Sequence, residues 1–158
     1  AHRLRKTYLL ATIGHPVPEA GVLSGYLFKD AKRGIVHIRQ TGGAGAKPVE
    51  TRYETLATSG LFSLVQATLV TGRTHQIRAQ FAAAGTPLLG DSKYGDATLN
   101  RMMRTRYQCL CALKVSFLSL DSKTFPAPLQ EAAEALSGLS IQCPEPWFAV
   151  QLQDGTLA

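Results

Sequence analysis

Leu69-Val-Thr-Gly-Arg-Thr-His-Gln-Ile-Arg-Ala-Gln-Phe-Ala-Ala-Ala-Gly85 decides how the rest of the chain is read. Its first residues close an alternating apolar run that begins at Leu61, and Gly72 then permits a sharp reversal. The spacing predicts a short helix after that turn. Ile77, Phe81 and Ala84 recur at i, i+4 and i+7 and give the helix one apolar face. Thr71 or Thr74 can cap its orphan N–H groups, and Gly85 with Pro87 ends it. His75, Arg78, Ala79 and Ala82 share a different face. His75 by itself reads as a packing residue bonded to a neighbouring carbonyl. Arg78 differs in kind. A guanidinium among alanines is costly to leave unpaired, so it calls for an anion, either a carboxylate or a phosphate.

On the N-terminal side, β-forming residues recur between turn signals. Lys6 to Ile13, Gly21 to Phe28, Ile35 to Arg39, Lys47 to Thr58 and Leu61 to Val70 read as strands, with a tight hairpin at Ser59-Gly60. On the C-terminal side, Pro87 to Gly95 is a turn-rich loop and Leu99 to Arg106 a short helix. Gln108 to Leu118 is another strand, and Pro128 to Leu136 another short helix. The expected fold class is therefore α+β, a mostly antiparallel sheet with a few short helices. Residues 1–136 are read as one body and 137–158 as a C-terminal tail that holds the sole tryptophan, Trp147.

The formal charge is +6 and unevenly placed. From Leu118 onward Lys123 stands against Asp121, Glu131, Glu134, Glu145 and Asp154, a net −4, which leaves +10 on residues 1–117. A basic body suits a polyanion, because Lys and Arg release the counterions condensed on phosphates. No apolar run approaches the length of a membrane span. The N-terminus lacks the apolar centre of a signal peptide, and three cysteines make no disulfide framework. A cytoplasmic location is expected.

Other features carry little. Cys109 and Cys111 would share a strand face, yet no second pair follows at zinc-ligand spacing, so they read as buried structural thiols. Asp91 after Gly90 reads as a turn former rather than a general base. The glycines at 42, 43 and 45 precede no Lys-Ser/Thr of a P-loop.

Thr71-Gly-Arg-Thr-His-Gln-Ile-Arg78 with Gly85-Thr-Pro-Leu-Leu-Gly-Asp-Ser-Lys-Tyr-Gly95 closely resembles the signature of the RluA-type pseudouridine synthases. Lys6-Thr-Tyr8, Gly14-His-Pro16, Lys47-Pro48, Thr51, Tyr53 and Phe125-Pro-Ala-Pro128 fit the outer parts of the same pattern. Cys109-Leu-Cys-Ala112 stands where the family usually has Leu-His-Ala, a departure at Cys111. The resemblance implies part of a pseudouridine synthase fold, and isomerisation of uridine in RNA with no cofactor and no metal. Ribosomal RNA is the target by analogy. It implies that Tyr8 stacks on or bonds near a flipped uracil, and that Leu110 packs against it. It implies that Arg78 pairs with the catalytic carboxylate through its planar fork. Arg73, at the turn, suits phosphate or bracing of the loop, and His75 lies beside the substrate.

The family's aspartate lies in a His-Arg-Leu-Asp motif well upstream of the tyrosine. Here His2-Arg-Leu4 is followed by Arg5 and lies too near Tyr8. The expectation is a C-terminal part of a catalytic domain without its aspartate, inactive as it stands. The rival expectation is a non-catalytic RNA-binding module. A helix-turn-helix DNA binder ranks last, because Pro87-Leu-Leu-Gly90 is too short and broken to enter a groove. Oligomeric state is left open by the sequence.

Overall fold

Strands β1 (Leu4–Ile13), β2 (Ala20–Asp30), β3 (Ile35–Arg39), β4 (Lys47–Ser59), β5 (Phe62–Leu69), β6 (Leu110–Phe117) and β7 (Ser140–Gln142) form one sheet in a computed structural model. The structure describes residues 3–157, so His2 of the His2-Arg-Leu4 stretch lies outside the described residues. The strand order is β3-β2-β4-β5-β1-β6-β7, and every pairing is antiparallel. Helices α1 (Gln76–Ala83), α2 (Ala97–Met102), α3 (Ala127–Leu136) and α4 (Trp147–Gln153) lie between and after the strands. This is the α+β arrangement that the sequence implies.

The chain runs β1 into the interior of the sheet, between β5 and β6. Successive side chains of a strand face opposite ways, and β1 buries both sets. Leu10 joins Val65, Ala67, Ile77, Phe81 and Leu88 under α1. Leu9 and Ala11 join Leu64, Phe148, Ala149 and Leu152 under α4. With both faces covered, Phe62 to Val65 on β5 are all buried, and the expected in–out alternation is absent there. The tail supplies this second cover. Residues 140–142 extend the sheet at its edge and 147–153 close the core with Phe148, 3% exposed.

Helix α1 departs from its expected amphipathic form. Gln76 through Phe81 are all buried, and Ala84 is an exposed cap residue rather than part of an apolar face. Its second side packs, through Ala79, on Leu27, Val36 and Val49. Neither Thr71 nor Thr74 caps it. The N-cap is His75 in a left-handed conformation, with φ 54° and no side-chain cap bond. Gly85, at φ 83°, does end it: its N–H donates to Ala82 O and that of Thr86 to Phe81 O, a Schellman closure. Helix α2 begins earlier than expected, because Asp96 Oδ1 accepts the N–H groups of Thr98 and Leu99. Cys109 is buried, as expected of a structural thiol, but Cys111 is only partly covered.

Candidate active site

Gln76 holds the turn before α1 in shape. Its Oε1 accepts the Thr71 hydroxyl at 2.9 Å and the Arg73 N–H at 3.0 Å. Its Nε2 donates to Glu50 O and Thr51 Oγ1, both at 3.0 Å. Thr51 in turn donates to Gln80 Oε1 at 2.6 Å, and Gln80 Nε2 reaches Leu23 O at 2.7 Å. These buried amides have their donors and acceptors engaged, so α1 is fixed to β2 and β4 by direction as well as by bulk.

Arg78 is 9% exposed and Asp91 1%. Arg78 Nε donates to Asp91 Oδ2 at 2.7 Å and Nη2 to Oδ1 at 2.6 Å, a bidentate pair. Oδ1 also accepts the N–H groups of Lys93 and Tyr94, at 2.9 and 3.0 Å. Asp91 is thus a turn former, as its sequence context suggests, and at the same time the partner of Arg78. The expectation that Arg78 must look outside the chain for its anion is corrected here. Burial pushes the Asp91 carboxyl up, but Arg78 and the two N–H groups outweigh it and hold the group below the usual aspartate range. The hydrogen bond that Arg78 donates to Asp91 likewise raises the pKa of Arg78. Of five guanidinium N–H groups, two serve Asp91 and three have no partner among the described residues.

The loop that carries Asp91 is built around close backbone approach. A Cβ on Gly90 would collide with the Tyr107 carbonyl, and one on Gly95 would lie 2.5 Å from Asp91 O. Asn100 ties the loop to α2, accepting from Gly90 N at 2.7 Å and donating to Asp91 O at 3.1 Å. Tyr94 completes it. Its ring lies 5.3 Å from the Arg78 guanidinium carbon, and its hydroxyl accepts Val36 N–H at 2.8 Å and meets His75 Nδ1 at 3.1 Å. His75 is therefore bonded to a phenol rather than a carbonyl. Burial, then the charges of Arg78 and Lys93, lower its pKa below the ordinary value, with Asp91 opposing.

Beside this cluster is an open cavity of about 350 Å³. Tyr8, Arg73, His75, Arg78 and Leu110 all line it, so the structure brings together every site residue read from the sequence. They arrive from β1, the turn, α1 and β6. A bulge aims Tyr8: Thr7 pairs with Lys114 but Tyr8 with Ala112, leaving Leu113 as the extra residue on β6. Arg73 is exposed. The roles of Asp91, Tyr94 and Asn100 were missed by sequence reasoning. The signal was present in the Gly90-Asp91 pair of the signature, which puts a carboxylate at fixed spacing from Arg78.

Comparison with known proteins gives the family of this sheet and its buried guanidinium. The model of the RNA pseudouridylate synthase family matches residues 1–83. The chain belongs to that family, in the RluA-type branch whose signature it carries. An uncharacterized RNA pseudouridine synthase of Chloroflexus aurantiacus is 38% identical over 60% of this chain and 29% of its own length. The MG370 homolog of Mycoplasma pneumoniae, also named as an RNA pseudouridine synthase, is 33% identical over 92% of this chain and 44% of its own. The ribosomal large subunit pseudouridine synthase C of Vibrio cholerae is 39% identical over 59% and 28%. The chain thus spans less than half the length of these curated relatives. A solved structure, human RNA Pseudouridylate Synthase Domain Containing 4, superposes with a TM-score of 0.66 over 97% of this chain and 62% of that one. At 22% identity that likeness carries the fold alone.

Proposed function

We propose that this chain supplies the base-holding and guanidinium part of an enzyme that isomerises uridine to pseudouridine in RNA. One observation supports the reading above others: Tyr8, Arg78 and Leu110, from three separate elements, line one open cavity. In the reaction uracil leaves C1′, turns, and rejoins through C5, whose hydrogen is lost to water. Bond making and breaking balance without any redox partner. Tyr8 offers the flat ring a displaced base needs, and Leu110 on the neighbouring strand an apolar surface. Arg73, exposed at the rim, suits a phosphate.

The reaction also needs a carboxylate at the sugar or base. The cavity lining contains none. Asp91 has a fully buried side chain whose oxygens are committed to Arg78 and two backbone N–H groups, so it cannot attack. In this proposal the reacting aspartate is supplied from outside the lining residues. Arg78 orients it with the three N–H groups that Asp91 leaves over, and the 158-residue chain alone does not turn over. Ribosomal RNA in the cytoplasm is the proposed substrate, prompted by the name of the Vibrio relative. The missing carboxylate also favours one other reading, a module that grips RNA without altering it.

Release of tritium from RNA labelled at uridine C5 separates these readings. The full-length encoded protein is expected to release it, and Arg78→Lys, which keeps a cation beside Asp91 but loses the planar fork, to lower the rate about a hundredfold or more while the fold persists. Release by the 158-residue chain alone contradicts the missing carboxylate. Binding of RNA by the full-length protein with no release on any uridine-containing RNA leaves the gripping module.

A further inference from the structure

A second groove, of about 550 Å³, adjoins the first and shares Gln108 and Leu110 with it. Arg104, Arg106, Tyr107 and Trp147 line it, with no carboxylate among the lining residues. We propose that this groove is a strand-extension subsite: it holds the nucleotides next to the uridine in the Tyr8 cavity, a base stacked on Trp147 and phosphates against Arg104 and Arg106. The proposal rests on the RNA reading above and goes beyond it by naming where the neighbouring nucleotides lie.

Three features of the groove support this occupant. The first is an exposed aromatic on a fixed base. Trp147 is 54% exposed in the first turn of α4, while Phe148, Ala149 and Leu152 of the same helix are buried in the core. An indole so mounted is a rigid stacking surface, and stacking on it is tolerant of sequence because every base has a π-face. The second is the backbone beneath the arginines. Arg104 has φ 50°, a left-handed conformation unusual for a residue with a side chain, and Tyr107 is 82% exposed. The segment is tied at both ends, Thr105 N–H donating to Asn100 O and Cys109 N–H to Leu89 O, and its Tyr107 carbonyl lies close against Gly90, next to the partner of Arg78. The third is charge. Arg101, Arg104 and Arg106 follow one another through the end of α2 and the loop beyond it, in the part of the chain that carries the excess positive charge. A polyanion running out of the Tyr8 cavity into this groove meets both guanidinium groups and aromatic rings.

Trp147 is the sole tryptophan, so its emission reports on this groove alone. The 158-residue chain is titrated with uridine monophosphate and with an oligouridine of about twelve nucleotides, long enough to leave the first cavity. The oligonucleotide is expected to quench Trp147, and Trp147→Ala to weaken its binding about tenfold while binding of the mononucleotide is unchanged. Arg104→Gln with Arg106→Gln is expected to reduce the slope of log affinity against log salt by about two, with circular dichroism unchanged. Oligonucleotide binding that leaves Trp147 emission and the Trp147→Ala affinity unaltered overturns the subsite and leaves the RNA reading standing. Failure of both ligands to bind at low salt overturns the RNA reading and the subsite with it. Quenching that depends on protein concentration in the absence of RNA would make this face a contact between copies, and also overturns the proposal.

Discussion

Two covers close the two faces of the central strands, and they are built on different principles. The α1 side is coded by polar direction. Gln76, Gln80, Arg78 and Asp91 are buried, and each hydrogen-bonds to a named partner. The α4 side is coded by apolar bulk, with Phe148, Ala149 and Leu152 set on Leu9, Ala11 and Leu64. A polar cover can be assembled in only one way without stranding a buried group, whereas an apolar one tolerates rearrangement. The face that must present a guanidinium and a ring at fixed positions is the polar one. Apolar packing of Leu10, Val65, Ile77 and Phe81 stabilises that face too, but on the α4 side bulk acts without a buried polar network.

If that contrast holds, the two faces respond differently to substitution. Phe148→Ala is expected to have the largest effect among the apolar cover, on the order of 3–5 kcal/mol of stability, read as a lower denaturant midpoint. Phe148→Leu should recover most of it, and ligand binding in the Tyr8 cavity should be unchanged throughout. Gln76→Leu keeps the bulk but removes the acceptor of the Arg73 N–H and of the Thr71 hydroxyl. It should cost about 1–3 kcal/mol and also weaken uridine binding, because the turn bearing Arg73 and His75 loses its brace. A leucine at 76 that left binding intact would erase the distinction between the faces.

The pH response should be smaller and confined to the polar side. His75 and Asp91 both have pKa values below their ordinary ones, so the unfolded chain takes up protons first as pH falls. Their stabilising contributions are complete above about pH 6.5 and pH 4 respectively and decline below those values. Thermal midpoints measured from about pH 8 to 5 should drop for the wild type and drop less for His75→Gln.

The polar face is also the legible one. A histidine, glutamine, arginine, aspartate and tyrosine at fixed spacing are few in kind and specific in geometry, so the pattern of residue types is enough to mark the site. Arg78 stands out by its apolar neighbours alone, whereas Tyr8, Arg73, His75 and Leu110 take their places in the site from the resemblance to the RluA-type signature. The partner of Arg78 could not be read in this way, because Gly-Asp is also a common form of a plain turn, and only the folded loop shows that one carboxylate serves both ends. The strand β7 and helix α4 were illegible for the opposite reason. Three exposed residues and a seven-residue helix preceded by prolines leave little periodicity to read, and their place is set by a core formed elsewhere.

The pairing of Arg78 with Asp91 underlies both the shape of the loop and the presentation of the guanidinium, and a double-mutant cycle on stability measures it directly. Arg78→Leu and Asp91→Leu each strand a buried charge and should each cost about 3–5 kcal/mol, while the double variant should cost far less than their sum. Strictly additive losses would mean that the two side chains do not hold one another, and the site as described would not exist.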